Sequence, residues 1–177
     1  MHSLKKKSDE WYMTKALNLA QKAALLGEVP VGAVVVDKNG LVIGRGYNMV
    51  ECRKSQQEHA EMRALRQAYR KMQDWRLDGA CVYVTLEPCK MCLYAIALSR
   101  CSAIVYGAQS PLFGASYDPE KEVPMYIKHL KSVKGGVLEK KSADLLKFFF
   151  KQKRGVYEDF KNTNQTKIAR AKKRDRA

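Results

Sequence analysis

The chain has 177 residues, 46% of them hydrophobic and 29% charged, which suits one domain with a sizeable core and excludes collagen-like, low-complexity and globally disordered chains. Its apolar runs, such as Ala33 to Val36 and Phe148 to Phe150, fall far short of the roughly 20 residues of a membrane span, and Ser8, Asp9 and Glu10 follow Lys5 to Lys7 where a secretory signal would turn apolar. The 33 Lys+Arg against 18 Asp+Glu leave +15, with ten basic and three acidic residues from Lys151 to Ala177, so body and tail are both basic and a polyanionic partner is favoured.

Ser8 caps a first helix, with Asp9 and Glu10 complementing its dipole and Met13, Leu17, Ala20 and Ala24 recurring at helical spacing until Gly27. Val31 to Asp37 and Leu41 to Tyr47 are β-rich runs joined through Lys38-Asn39-Gly40 as a hairpin. Ser55 and Glu58 have the spacing of a capping box, which predicts a second helix from about Gln56 to Met72 with His59 in its first turns. Ala80 to Thr85 reads as a third strand, and Pro88 suits the first turn of a helix from about Cys89 to Ser99. Ala103 to Ala108 makes a fourth strand, Pro124 to Leu130 a short helix and Val133 to Leu138 a weaker fifth strand. Ser142 is placed to cap a last helix whose apolar stripe is Leu145, Leu146, Phe149 and Phe150; beyond Arg154 the pattern becomes basic and sparse. No internal repeat or interdomain linker is visible.

The five cysteines, Cys52, Cys81, Cys89, Cys92 and Cys101, are odd in number, and only Cys89 and Cys92 have a motif spacing. That argues against a secreted disulfide framework and for a reducing, cytoplasmic setting with metal-binding or catalytic thiolates. Cysteines at i and i+3 share one helix face, and a helix N-terminus favours thiolates. With His59 they make three ligands suited to zinc, and with no fourth ligand evident a position stays open for water, the arrangement of a hydrolytic rather than a structural site. Glu61 is the carboxylate beside it. One difficulty is geometric: residues two apart on a helix point about 200° apart, so His59 and Glu61 converge only on an ion lying off the helix end.

The His59-Ala60-Glu61 and Pro88-Cys89-Lys90-Met91-Cys92 segments resemble the H-x-E and P-C-x-x-C signature of the zinc-dependent nucleobase deaminases. Glu28-Val29-Pro30-Val31-Gly32-Ala33, Gly46-Tyr47-Asn48 and Val82-Tyr83-Val84-Thr85-Leu86-Glu87-Pro88-Cys89 are further similar to the bacterial tRNA-specific adenosine deaminases of that group, in the same order. The resemblance runs from about Trp11 to Arg154. It implies a single α/β domain over 1–154, a three-layer α/β/α sandwich on a five-stranded mixed sheet, followed by a flexible basic tail over 155–177. It also implies that His59, Cys89 and Cys92 hold one zinc ion and that Glu61 shuttles protons while an activated water adds at adenine C6. Asn48 would touch the nucleoside, and Val29, Ala60, Leu86 and Glu87 would line its pocket. The implied substrate is the wobble adenosine of a tRNA anticodon, and the implied assembly is a homodimer with the Cys89 to Ser99 helix near the interface. Where the bacterial enzymes usually carry Asp near the RNA, this chain has Ser110.

Two other functions share parts of this pattern. A guanine or cytosine deaminase acting on a free base needs the zinc motifs but no polyanion surface, and a non-catalytic zinc-stabilised RNA-binding module needs neither Glu61 nor an open coordination position. Other residues take plain readings. Cys52, Cys81 and Cys101 are small buried residues or bystanders, Gly44-Arg45-Gly46 holds strand glycines rather than a phosphate loop, and Phe148 to Phe150 belongs to a helix core. His2 and His129 have no visible partner, and the sequon Asn164-Gln165-Thr166 is discounted with the secreted setting.

Overall fold

The computed structural model describes residues 7–155; the basic segment beyond 155 lies outside them. Helix α1 (Asp9–Leu25) starts where expected, with the Ser8 hydroxyl accepting from Trp11 N at 3.3 Å. Strands β1 (Gly32–Val36) and β2 (Val42–Tyr47) form the hairpin, and Asp37 Oδ1 closes its turn by accepting from Asn39 N and Leu41 N. After a short α2 (Val50–Arg53) and a 3-10 turn (Gln56–Glu58) come α3 (Ala60–Met72), β3 (Cys81–Leu86), α4 (Lys90–Leu98), β4 (Ala103–Ala108), α5 (Pro124–Ile127) and β5 (Ser132–Lys134). The chain is helical again over 139–155, designated α6.

The described strands form one five-stranded sheet in the order β2-β1-β3-β4-β5. The pairings β1–β2 and β1–β3 are antiparallel, and β3–β4 and β4–β5 are parallel. Alternation along the strands separates two cores. Val34, Val36, Cys81, Tyr83 and Val105 pack with Tyr12, Met13, Ala16 and Leu17 of α1. Ala33, Val35, Val82, Val84 and Ile104 pack with Ala64, Leu65, Leu93 and Ile96 of α3 and α4. A sheet buried on both faces by helices is the expected three-layer α/β/α sandwich.

Strand directions decide where chemistry can gather. Two successive antiparallel steps, β2 to β1 and β1 to β3, leave β2 and β3 running the same way, so their C-terminal ends share one end of the sheet. The N-terminal ends of α3 and α4, which follow those strands, therefore converge there, as ligand sites do in open α/β sheets. Close packing sharpens the placement: a Cβ on Gly46 would stand 2.1 Å from Ala60 O, and one on Gly44 2.2 Å from Ala64 O. The two strand glycines let α3 lie directly on β2.

Four expectations are corrected. The helix from Gln56 is broken at His59, whose φ of −61° and ψ of 152° are extended. Ser55 Oγ caps only the 3-10 turn, accepting from Gln57 N, while Glu58 turns away to Arg63 and Arg66. The fifth strand is three residues long and ends at Lys134, because Gly135 and the left-handed Gly136 and Leu138 redirect the chain. Ser142 is no cap: it lies within α6, buried against Gly107, whose missing Cβ makes room for its hydroxyl. Of the Phe148 to Phe150 run only Phe149 is buried.

Candidate metal centre

His59 and Cys89 occupy equivalent positions, each the extended residue just before its helix. Cys92 sits in the first turn of α4 and is fully buried. The His59 Nδ1 atom lies 3.7 Å from Cys89 Sγ and 3.4 Å from Cys92 Sγ, and the three ligand atoms all lie within 4.8 Å of one another. A tetrahedral zinc with Zn–N and Zn–S bonds of about 2.05 and about 2.3 Å requires N···S separations of about 3.6 Å. The donor set and its spacing thus fit zinc with one position left over.

Because His59 precedes α3, the 200° objection to a His59–Glu61 pairing disappears: the histidine projects from the helix entrance and Glu61 from its first turn. Glu61 is buried, and that burial pushes its carboxyl above the ordinary carboxylate range. Among the thiols, a hydrogen bond from Cys92 draws Cys89 down to about 4, while Cys92 is pushed far up by the same contact and by burial. His59 is raised chiefly by its contact with Cys89.

The other expected site residues are brought to this end of the sheet, with unequal freedom. Asn48 accepts from Ala60 N at 2.9 Å through Oδ1, so that oxygen caps α3 while Nδ2 keeps its hydrogens. Val29 and Leu86 are half-buried against the core cluster that contains Ala60. The Glu87 carboxylate is committed to a loop: Oε2 accepts from Ser110 N at 3.0 Å and Oε1 from Ser116 N at 2.9 Å. Ser110 is buried, its carbonyl accepting from Gly114 N at 2.8 Å, and Ala115 N donates to Pro88 O at 2.8 Å beside Cys89. This loop is therefore stapled to the start of α4.

Two groups have supporting roles that the sequence did not signal. Buried Glu28 accepts from Cys52 N at 2.7 Å and Glu51 N at 3.2 Å, capping α2 across more than twenty residues. Burial alone would raise its carboxyl, but these amide hydrogen bonds outweigh it and hold it below the ordinary range. Buried Glu122 takes Lys90 Nζ and Tyr94 OH, tying the first turns of α4 to the segment before α5.

Residues 6–108 match the family described as the cytidine and deoxycytidylate deaminase zinc-binding region. The chain belongs to this deaminase family. Its relatives include the tRNA-specific adenosine deaminase of Bacillus subtilis, 41% identical and covering 82% of this chain and 91% of the relative. That of Haemophilus influenzae is 40% identical, with 82% and 85% covered. A solved structure from work on A-to-I editing by tRNA:A34 deaminases superposes with a TM-score of 0.68 at 38% identity, covering 77% of this chain and 99% of that one. The guanine deaminase of Nitrosomonas europaea superposes with a TM-score of 0.70 at only 25% identity, covering 80% and 84%. Backbone shape is common to deaminases of different bases, so the identities carry the discrimination. The deaminase takes zinc as its cofactor, and among its described residues no helix is long and apolar enough to cross a membrane.

Proposed function

We propose that this deaminase converts the wobble adenosine of a tRNA anticodon to inosine, acting in the cytoplasm as a homodimer. The observation that carries the substrate is the identity of about 40% to tRNA-specific adenosine deaminases over more than four-fifths of the chain, against 25% to a guanine deaminase of equally similar shape. The +15 charge supports a polyanionic substrate. The free cysteines suit a reducing compartment, and exposed Met91 and Leu98 on α4 offer apolar surface for a second copy.

His59 Nδ1 and the Cys89 and Cys92 sulfurs would hold the zinc ion, which when bound would supply Lewis acidity to ease deprotonation of water near neutral pH. Glu61 takes one proton from the attacking water and passes it to adenine N1 as the water oxygen bonds to C6. It then carries the remaining hydroxyl proton to the amino group, which leaves as ammonia, so water and adenosine become inosine and ammonia. Asn48 Nδ2 donates to the nucleoside while its Oδ1 keeps α3 in place. Val29, Ala60 and Leu86 form the apolar wall that excludes bulk water, and Glu87 acts through the Ser110 loop. Incubating the zinc-loaded protein with tRNA and sequencing for inosine tests the assignment. Inosine at the anticodon wobble position is expected; ammonia release from free guanine or cytosine without inosine in tRNA would overturn it.

A further inference from the structure

Arg63, Arg66 and Arg70 recur along α3 at three- and four-residue spacing, so they share one helix face. The fold brings Arg45 of β2 and Arg53 of α2 to the same face, and the five guanidinium groups, with Glu58 and Gln67, line a cleft of about 340 Å³. Gln67 Oε1 accepts from Arg45 N at 2.6 Å, which ties the edge strand to α3 and sets Arg45 at the rim.

One carboxylate answers these five cations. Glu58 Oε2 accepts from Arg63 Nη1 at 2.5 Å and Oε1 from Arg66 Nη1 at 2.8 Å, so both its oxygens are taken. Arg45, Arg53 and Arg70 form no ion pair among the described residues. The Arg63 Nε is buried with no hydrogen-bond partner, and its guanidinium lies over the Tyr47 ring, 5.4 Å from the centroid. Gathering uncompensated like charge around a buried, unpaired donor is unfavourable unless an anion enters.

We propose that this cleft binds backbone phosphates of the RNA strand that presents its adenosine to the metal centre, an inference that rests on the substrate reading above. Arginine forks match phosphate oxygens two at a time. The position is right as well: Arg63 N donates to His59 O at 3.1 Å, so the cleft opens one helical turn from the metal ligand. A nucleotide held at the metal would carry its flanking phosphates past this face. Arg63 and Arg66, fixed by Glu58, form the floor; Arg45, Arg53 and Arg70 are the donors left free to close on the strand.

The test uses the full zinc-loaded chain and a tRNA anticodon stem-loop, with binding measured over a salt series. Arg45→Gln/Arg70→Gln removes two exposed, unpaired cations and leaves the Glu58 network whole. Lys38→Gln/Lys131→Gln removes the same charge at the opposite end of the sheet. The arginine pair is expected to weaken binding roughly tenfold and to lower the slope of log affinity against log salt by about 1–2, whereas the lysine pair changes affinity by less than about twofold. Arg45→Lys/Arg70→Lys should recover most of the loss, because the charge remains. Equal weakening by the two glutamine pairs, or none by the arginine pair, would overturn the cleft as a phosphate site. So would a change in the sedimentation of the free arginine variant, which would make the cleft a contact between copies. Wild-type inosine formation on the same stem-loop reads the substrate assignment separately, so its failure leaves the binding comparison intact.

Discussion

Two sulfurs and one imidazole nitrogen converge because each of two helices is entered through an extended ligand residue, and that makes the ligand set intolerant of loss. Cys89→Ala removes a donor that no neighbouring group can replace, since His59 and Cys92 are the only other members of the cluster among the described residues. Zinc content is expected to fall from about one per chain to near zero, as read by metal analysis after dialysis; full retention would remove Cys89 from the site. Glu61→Gln tests a different property of the same place. The amide keeps the shape of the buried side chain but cannot cycle a proton, and general acid–base catalysis contributes roughly 10²–10⁴-fold. Single-turnover inosine formation should drop by at least that factor while zinc content and RNA affinity stay within about twofold of wild type. A variant turning over at the wild-type rate would exclude Glu61 as the shuttle.

Elements position these residues through contacts that are mostly distant in sequence. Gly46→Ala would press a Cβ against Ala60 O and Ala64 N, at 2.1 and 2.6 Å, where backbone cannot give way. Overpacking of this kind costs about 1–3 kcal/mol, and because the strain falls on the start of α3, zinc content should fall with stability. Denaturant unfolding and metal analysis on one preparation check both. Glu28→Ala removes the acceptor for two α2 amides and should cost about 1–3 kcal/mol at neutral pH. Glu28 has a lowered folded pKa, so its contribution is complete above the unfolded value of about 4.3 and is lost as pH falls through the lower folded one. The gap between wild type and variant should therefore close in acid, as followed by unfolding against pH. What could be read from the sequence divides along the same line. The Ala103–Ala108 strand and the first helix are legible because local periodicity and a cap mark them. The break at His59 is not, because Gln56 to Met72 has continuous helical character and the interruption is imposed by Asn48 and Glu58, whose partners the fold chooses. Glu87 resembled a pocket residue by motif, yet its carboxylate is drawn to Ser110 and Ser116, whose proximity appears only in three dimensions. The arginine face of α3 was not read from the sequence, because its meeting with Arg45 and Arg53 is made only by the fold.

At the scale of the whole molecule, one property acts in opposite directions on the two proposed partners. A second copy and the RNA both meet a chain of formal charge +15, but the copy carries the same sign and the RNA the opposite one. Self-association must then overcome long-range repulsion and rely on apolar burial, for which Trp75, Met91 and Leu98 are exposed around α3 and α4. Salt shortens the reach of that repulsion, the Debye length falling from about 10 Å at 0.1 M to about 3 Å at 1 M, and it leaves apolar burial largely in place. Dimerisation should therefore tighten as salt rises, while RNA binding weakens as counterion release loses its driving force. Sedimentation at micromolar protein across that salt range is expected to show a growing dimer fraction, and Leu98→Glu should lower it at every salt concentration. If dimerisation instead weakened with salt, the interface would be held by ion pairs, and the exposed apolar residues of α4 would not be its core.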